Sequence, residues 1–159
     1  MSTQNLAENL KIVKCYQGVG NAVSCDTINM EQFVHGSFVI VHTGATDVDL
    51  TLTLFEATDV AAGTNAAITT AVPVYVDADM GTSSDTLVRQ TDAYAYVINT
   101  TAAGDRNQMV VFEIDPAILT AGYPCVYLTG ATGSASNVVT ILFVGVPRYA
   151  GGTLPTAIA

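Results

Sequence analysis

The chain has 159 residues, enough for one domain with a substantial core. Half of its residues are hydrophobic, 12% are charged, and 14 acidic against 5 basic residues leave a net charge of −9. That charge repels phosphate backbones and anionic lipid surfaces, so nucleic acid and membrane are not expected as partners; a basic protein surface remains open.

Residues 1–14 read as an N-terminal arm. They are polar, carry Glu8 and lack the apolar stretch of a secretory signal, so a soluble protein made in the cytoplasm is expected. Leu6 and Leu10 are spaced apolar residues on that arm. Residues 15–32 are rich in turn formers: Gly18, Gly20, Asn21, Asp26 and Asn29. Gly36–His42 is the first strong strand, and its continuous apolar run predicts burial on both faces. Thr43–Asp47 is a turn, and Asp49–Glu56 follows as a second strand. Within it Leu50, Leu52 and Leu54 alternate with Thr51, Thr53 and Phe55, so the leucines share one face of an extended chain; a helix would scatter them. These two strands, joined by a short turn, are expected to pair antiparallel.

Ala57–Thr70 reads as a loop or a short helical piece. In Val72–Val76, Pro73 confines the strand to an edge or places the proline at its start. Asp77–Asp85 is a polar loop, Thr86–Gln90 a short strand, and Tyr94–Ile98 another, with Tyr94, Tyr96 and Ile98 on one face. Asn99–Asn107 is a turn and Met109–Asp115 a strong strand. Asp115 followed by Pro116 predicts one helical turn, with the aspartate as cap and the proline at the first helical position. Cys125–Thr129 and Val138–Val144 are the last two strands, joined by a Gly130–Asn137 hairpin loop. From Pro147 the chain reads as a C-terminal tail with apolar Tyr149, Leu154 and Ile158. About eight short strands, with turn signals roughly every 8–12 residues, predict a mainly antiparallel β-sandwich or barrel over residues 15–146, flanked by arms 1–14 and 147–159. The expected core is Leu50, Leu52, Leu54, Val110, Phe112, Ile114, Ile141 and Phe143.

No motif carries catalysis. His35 and His42 are seven residues apart and fall on opposite faces of a strand, so they do not share a metal. Asp47/Asp49 and Asp77/Asp79 each put two carboxylates near a turn, but calcium needs six to eight oxygens, and these residues read as turn formers. Cys15, Cys25 and Cys125 form no C-x-x-C; they read as buried thiols, with a Cys15–Cys25 bridge or a bond to another chain as the lesser reading. No G-x-S-x-G supports a serine nucleophile, and Gly130–Asn137 lacks the Gly-Lys-Ser/Thr ending of a phosphate loop. Asn99-Thr100-Thr101 matches a glycosylation acceptor but reads as a turn. Neither enzyme activity nor a cofactor nor a metal is expected. Tyr94, Tyr96, Tyr123 and Tyr127 read as core or interface residues, with a carbohydrate-binding face as the alternative.

Several blocks of the chain resemble the small β-rich proteins encoded beside the major capsid gene of tailed bacteriophages, known as decoration, cement or head-stabilising proteins. The blocks are Ile28-Asn29-Met30 followed by Phe38-Val39-Ile40; Leu52 through Asp59 with Gly63-Thr64; Val110 through Asp115; and Ile141 through Gly145 leading into Pro147-Arg148-Tyr149. Together they span roughly residues 10–150. The resemblance implies a virion structural protein on the outer capsid surface, assembled in the bacterial host cytoplasm. Its implied partners are the major capsid protein and copies of itself, as a trimer or dimer. It carries over no catalytic residue. Alternatives are another phage component (neck, tail or head fibre) or a carbohydrate-binding β-sandwich. On the decoration reading, Leu6, Leu10, Tyr149, Leu154 and Ile158 are the anchors by which the arms contact other chains.

Overall fold

Two antiparallel sheets packed face to face make up the body. The computed structural model describes residues 9–81, 85–99 and 107–148. Its strands are β1 (Lys11–Val19), β2 (Val23–Ser24), β3 (Ile28–Asn29), β4 (Phe33–Thr43), β5 (Leu50–Ala57), β6 (Asn65–Ala67), β7 (Val74–Asp77), β8 (Val88–Arg89), β9 (Ala95–Ile98), β10 (Asn107–Ile114), β11 (Cys125–Ala131) and β12 (Val138–Pro147). Sheet I has the order β1-β12-β4-β10-β7-β8; sheet II has the order β2-β11-β5-β6, with β3 also on β11 and β9 on β5. The sheets do not close on one another, so the architecture is a sandwich and not a barrel.

The alternation in β5 does what its sequence dictates. Leu50, Leu52 and Leu54 are fully buried, while Thr51, Thr53 and Phe55 face outward. Opposite them, sheet I contributes Phe38, Ile40, Val110, Phe112, Ile114, Ile141 and Phe143, all fully buried. All eight residues expected in the core are there. Phe143 meets Phe33 edge-on at 5.2 Å and Phe38 edge-on at 5.4 Å. Room for these rings comes from a pair of glycines directly across the β4–β12 ladder, Gly36 and Gly145. A Cβ on Gly36 would overlap the Phe143 ring, and one on Gly145 would come within 2.5 Å of the Phe33 ring.

Four expectations are corrected. Strands β4 and β5 do not pair: β4 lies between β10 and β12 in sheet I, and β5 pairs with β11, β6 and β9 in sheet II. The short 44–49 connection therefore crosses from one sheet to the other. Gly130–Asn137 is likewise no hairpin, because β11 belongs to sheet II and β12 to sheet I. Strand β4 is fully buried on one face only; Val39 and Val41 on its other face are half-covered. Finally, β1 begins at Lys11, so residues 11–14 are strand and not arm. It was hard to see because Lys14 and Gln17 interrupt its apolar positions and its register shifts between Lys14 and Tyr16.

Smaller features follow the local chemistry. Pro73 stands one residue ahead of β7, where its missing N–H costs no ladder bond, and its carbonyl accepts from the Glu113 N–H at 3.0 Å. The Asp115 carboxylate accepts from the Ala117 N–H at 2.9 Å and caps a 3₁₀ turn, Pro116–Ile118. The 57–70 stretch contributes the short strand β6.

One asparagine holds the two sheet-to-sheet crossings together. Asn137 is fully buried. Its Oδ1 accepts from Ala45 N at 2.8 Å, Thr46 N at 3.0 Å and Thr46 Oγ1 at 3.1 Å. Its Nδ2 donates to the carbonyls of Thr46 and Val48, each at 3.4 Å. Its own carbonyl accepts from Gly20 N at 2.8 Å.

Candidate functional site

The chain enters and leaves the body side by side. Strand β1 starts at Lys11, opposite Gly145, and its neighbour β12 ends two residues later at Pro147. Arg148 N donates to the Gln32 carbonyl at 2.9 Å, which fixes the direction of exit. The segments that precede β1 and follow β12 thus depart from one end of the sandwich, on adjacent strands. Of the proposed anchors, Leu10 is half-buried just ahead of β1. Leu6, Tyr149, Leu154 and Ile158 lie outside the described residues.

The same end carries a pocket of about 430 Å³. Four stretches distant in sequence build it. The first is a 3₁₀ turn, Met30–Gln32, capped by the Asn29 side chain, which accepts from Glu31 N at 2.9 Å. The second is Thr58, just after β5. The third is the Pro116–Tyr123 segment, in which Tyr123 N donates to the Thr120 carbonyl at 2.9 Å and Gly122 takes the left-handed φ of +89° that the turn requires. The fourth is Arg148. Met30 N donates to the Pro124 carbonyl at 2.9 Å, tying the first stretch to the third. The buried Glu56 carboxylate accepts from Thr120 N at 2.9 Å and braces the wall from below. Met30, Pro116, Leu119 and Tyr123 give the pocket apolar walls, and Glu31 and Arg148 give it one charge of each sign. A cavity of this kind suits an apolar side chain or a short extended segment, with polar groups at the rim for its backbone.

On the outer face of sheet I, His35 Nε2 contacts Glu113 Oε2, and Ser37 Oγ donates to the same oxygen at 2.8 Å. These three residue types match a hydrolytic triad, but the order is wrong. The carboxylate stands between serine and histidine, so the imidazole is not placed to take the serine proton. His42 lies on the opposite, fully buried face, as the spacing required. Among the described residues, no group of three or more His, Cys, Asp or Glu side chains is placed to hold a metal. Asp77 is buried and accepts from Asp79 N at 3.3 Å, a turn contact.

All three cysteines are free and buried. Burial pushes the Cys15 thiol up to about 12, helped by the nearby Asp26 charge, and that of Cys125 up to about 11. Burial raises Cys25 as well. These are protonated, unreactive thiols.

The tyrosines do not form one platform. Tyr96 stands opposite Leu52 on the core side of sheet II, and burial raises its hydroxyl pKa. Tyr127 faces outward on the same sheet, stacked on Phe55 at 5.4 Å. Tyr123 belongs to the pocket.

No family model matches the chain, and no curated protein matches it in sequence. Among solved structures it is similar to the one titled "Crystal structure of SPBc2 prophage-derived protein YomS". The TM-score is 0.46 and the identity 12%, over 86% of this chain and 92% of that one. At that level nothing of the one is transferred to the other. Among the described residues, no helix is long and apolar enough to cross a membrane.

The pocket, Glu56 and Asn137 have no signature in the sequence. Of the pocket's walls, Asp115-Pro116 reads there as a cap and Tyr123 as a core, interface or carbohydrate-face residue, neither as part of this pocket.

Proposed function

We propose that this chain is a structural protein of a tailed-phage virion, a decoration protein bound to the outer surface of the head, and not an enzyme. One observation carries the reading: the segments before β1 and after β12 leave the body together, beside a pocket with apolar walls and a polar, charged rim. A rigid sandwich with both arms at one end is built to sit on a surface and clamp what lies beneath or beside it. The blocks that resemble decoration proteins support the same role. The net charge of −9 keeps many closely spaced copies soluble. The partners are the major capsid protein and further copies of this chain. Tyr96 on the core side of sheet II, Tyr127 on its outer face and Tyr123 in the pocket do not make a carbohydrate platform.

The test is co-sedimentation with heads assembled from the major capsid protein encoded with this chain. Deleting residues 150–159 should leave the circular-dichroism spectrum unchanged and weaken binding, and deleting the residues before β1 should do the same. If both truncated chains bind heads like the full chain, the arms are not the clamp. The number of copies per purified particle separates the two virion readings: hundreds mean shell, a handful mean neck or tail.

A further inference from the structure

The pocket between the Met30–Gln32 turn and the Pro116–Tyr123 segment is built before anything enters it. The Asn29 side chain caps the first wall, the Glu56 carboxylate holds Thr120 in the second, and the Met30 N–H bond to the Pro124 carbonyl joins the two. Pro116, Leu119 and Tyr123 are each half-buried and line a space of about 430 Å³ that no described residue fills. Cavities of about 300–1,000 Å³ take a small ligand or a few side chains. The two charges of the lining, Glu31 and Arg148, are of opposite sign, so the pocket offers no net charge to select an ionic ligand. Arg148 has a second property. Its N–H is bonded to the Gln32 carbonyl at 2.9 Å, so the chain that follows it, residues 149–159, sets out from the rim of this pocket.

We infer that residues 149–159 of the same chain occupy this pocket, with Tyr149 and Leu154 as the side chains it holds. Three observations select that occupant. The first is connection. A segment tethered at the rim by a short linker meets the pocket at an effective concentration of the order of millimolar, which a separate molecule at micromolar concentration does not match. The second is composition. Residues 149–159 carry no charged side chain and include three large apolar ones, Tyr149, Leu154 and Ile158, which suits walls of Met30, Leu119 and Tyr123. The N-terminal arm fits less well: it carries Glu8, and none of residues 9–14 lines the pocket. The third is reach. Gly151-Gly152 is the sequence of a tight two-residue reversal. A reversal there would set Tyr149 opposite Leu154, with both side chains on one face. At about 3.3 Å per residue the excursion from Arg148 to the glycines is only about 10 Å, so Leu154 returns to the rim. The inference concerns the chain alone and goes beyond the proposed function. On that function it makes the C-terminal arm a held part of the end that meets the head, with less ordering left to binding.

The experiment is disulfide trapping in the full chain, whose own three cysteines are buried. Leu154→Cys is combined with Thr120→Cys, on the exposed rim of the pocket, or with Val34→Cys. Val34 is exposed and two residues from Gln32, so it lies near the start of the segment but outside the pocket. After mild oxidation, mass spectrometry of tryptic fragments should show positions 120 and 154 joined within one chain, and positions 34 and 154 not joined. Equal joining at 120 and 34 means a loose segment and overturns the inference, as does no joining at 120. Joining between two chains, seen as a dimer on a non-reducing gel, overturns it too and assigns the pocket to a neighbouring copy's segment. Hydrogen exchange on the unmodified chain gives an answer even if a cysteine variant misfolds. Amides within residues 149–159 should exchange roughly tenfold or more slowly than in Leu154→Asp, since protection requires a closed state to open. Equal rates in the two chains overturn the inference. Neither readout involves heads, so failure here leaves the head-binding test to be decided by itself.

Discussion

Replacing Asn137 by Ala tests how the two sheets are held in register. The side chain is fully buried and takes part in three hydrogen bonds of 2.8 to 3.1 Å through Oδ1, and in two of 3.4 Å through Nδ2. Each of the shorter bonds has a net worth of about 0.5–1.5 kcal/mol. Ala45 lies exposed, so its N–H regains water when the asparagine is gone, whereas Thr46 is half-buried and regains less. The expected loss is about 2–4 kcal/mol. For a domain of this size that lowers the melting temperature by about 5–15 °C. Urea unfolding followed by circular dichroism measures it, with an unchanged denaturant slope as the sign that the folded state is intact. Native-state hydrogen exchange adds a local reading: the Ala45 and Thr46 amides should speed up before those of β4. Asn137→Asp sharpens the case, because it keeps the accepting oxygen and sets a second oxygen against the carbonyls of Thr46 and Val48. It should also destabilise at neutral pH. A loss under about 0.5 kcal/mol for Asn137→Ala would refute the reasoning, since surface changes alone reach that size.

Leu52→Ala removes a fully buried side chain from the middle of β5 and should cost about 2–5 kcal/mol in the same urea assay. Gly36→Ala drives a methyl group into the Phe143 ring and should cost about 1–3 kcal/mol or more, with the near-ultraviolet aromatic signal altered. Cys15 and Cys125 ionise near an ordinary 9.0 when unfolded, but at about 12 and about 11 when folded. The unfolded chain therefore loses its protons first, so the stability they contribute is complete below pH 9 and falls as pH rises through 11 and 12. Melting temperature against pH checks this: Cys15→Ala should flatten the alkaline decline, and an identical decline would count against it. Millimolar calcium should leave the melting temperature of the chain unchanged, because Asp47, Asp49, Asp77 and Asp79 serve turns; a rise reversed by chelator would show otherwise.

What could be read from the sequence was what depends on neighbours two residues apart. Leu50, Leu52 and Leu54 declare their face by alternation alone, and the same parity in Val110, Phe112 and Ile114 places those residues in the core. What could not be read was partnership. A short turn between two strands suggests a hairpin, yet the 44–49 turn crosses between sheets because β4 finds better partners in β10 and β12, far along the chain. Nothing local in Phe33–Thr43 encodes that choice. The pocket was out of reach for a similar reason: Met30, Thr58, Leu119 and Arg148 meet only after both sheets have formed. Asn137 looked like any loop asparagine, since the amides it binds lie some ninety residues away.

The pairing of β1 with β12 also governs how the chain comes to be folded at all. Lys11 lies across from Gly145, and β12, the last strand among the described residues, is inserted between β1 and β4. Until β12 emerges, β1 has no partner in sheet I and β4 has one open edge. Pairing β1 with β12 closes a loop that contains every other strand of the sandwich, so assembly is slow for its size. A premature stop anywhere before Val138 therefore yields no smaller working body. It yields a chain with its core uncovered, prone to stick to others of its kind.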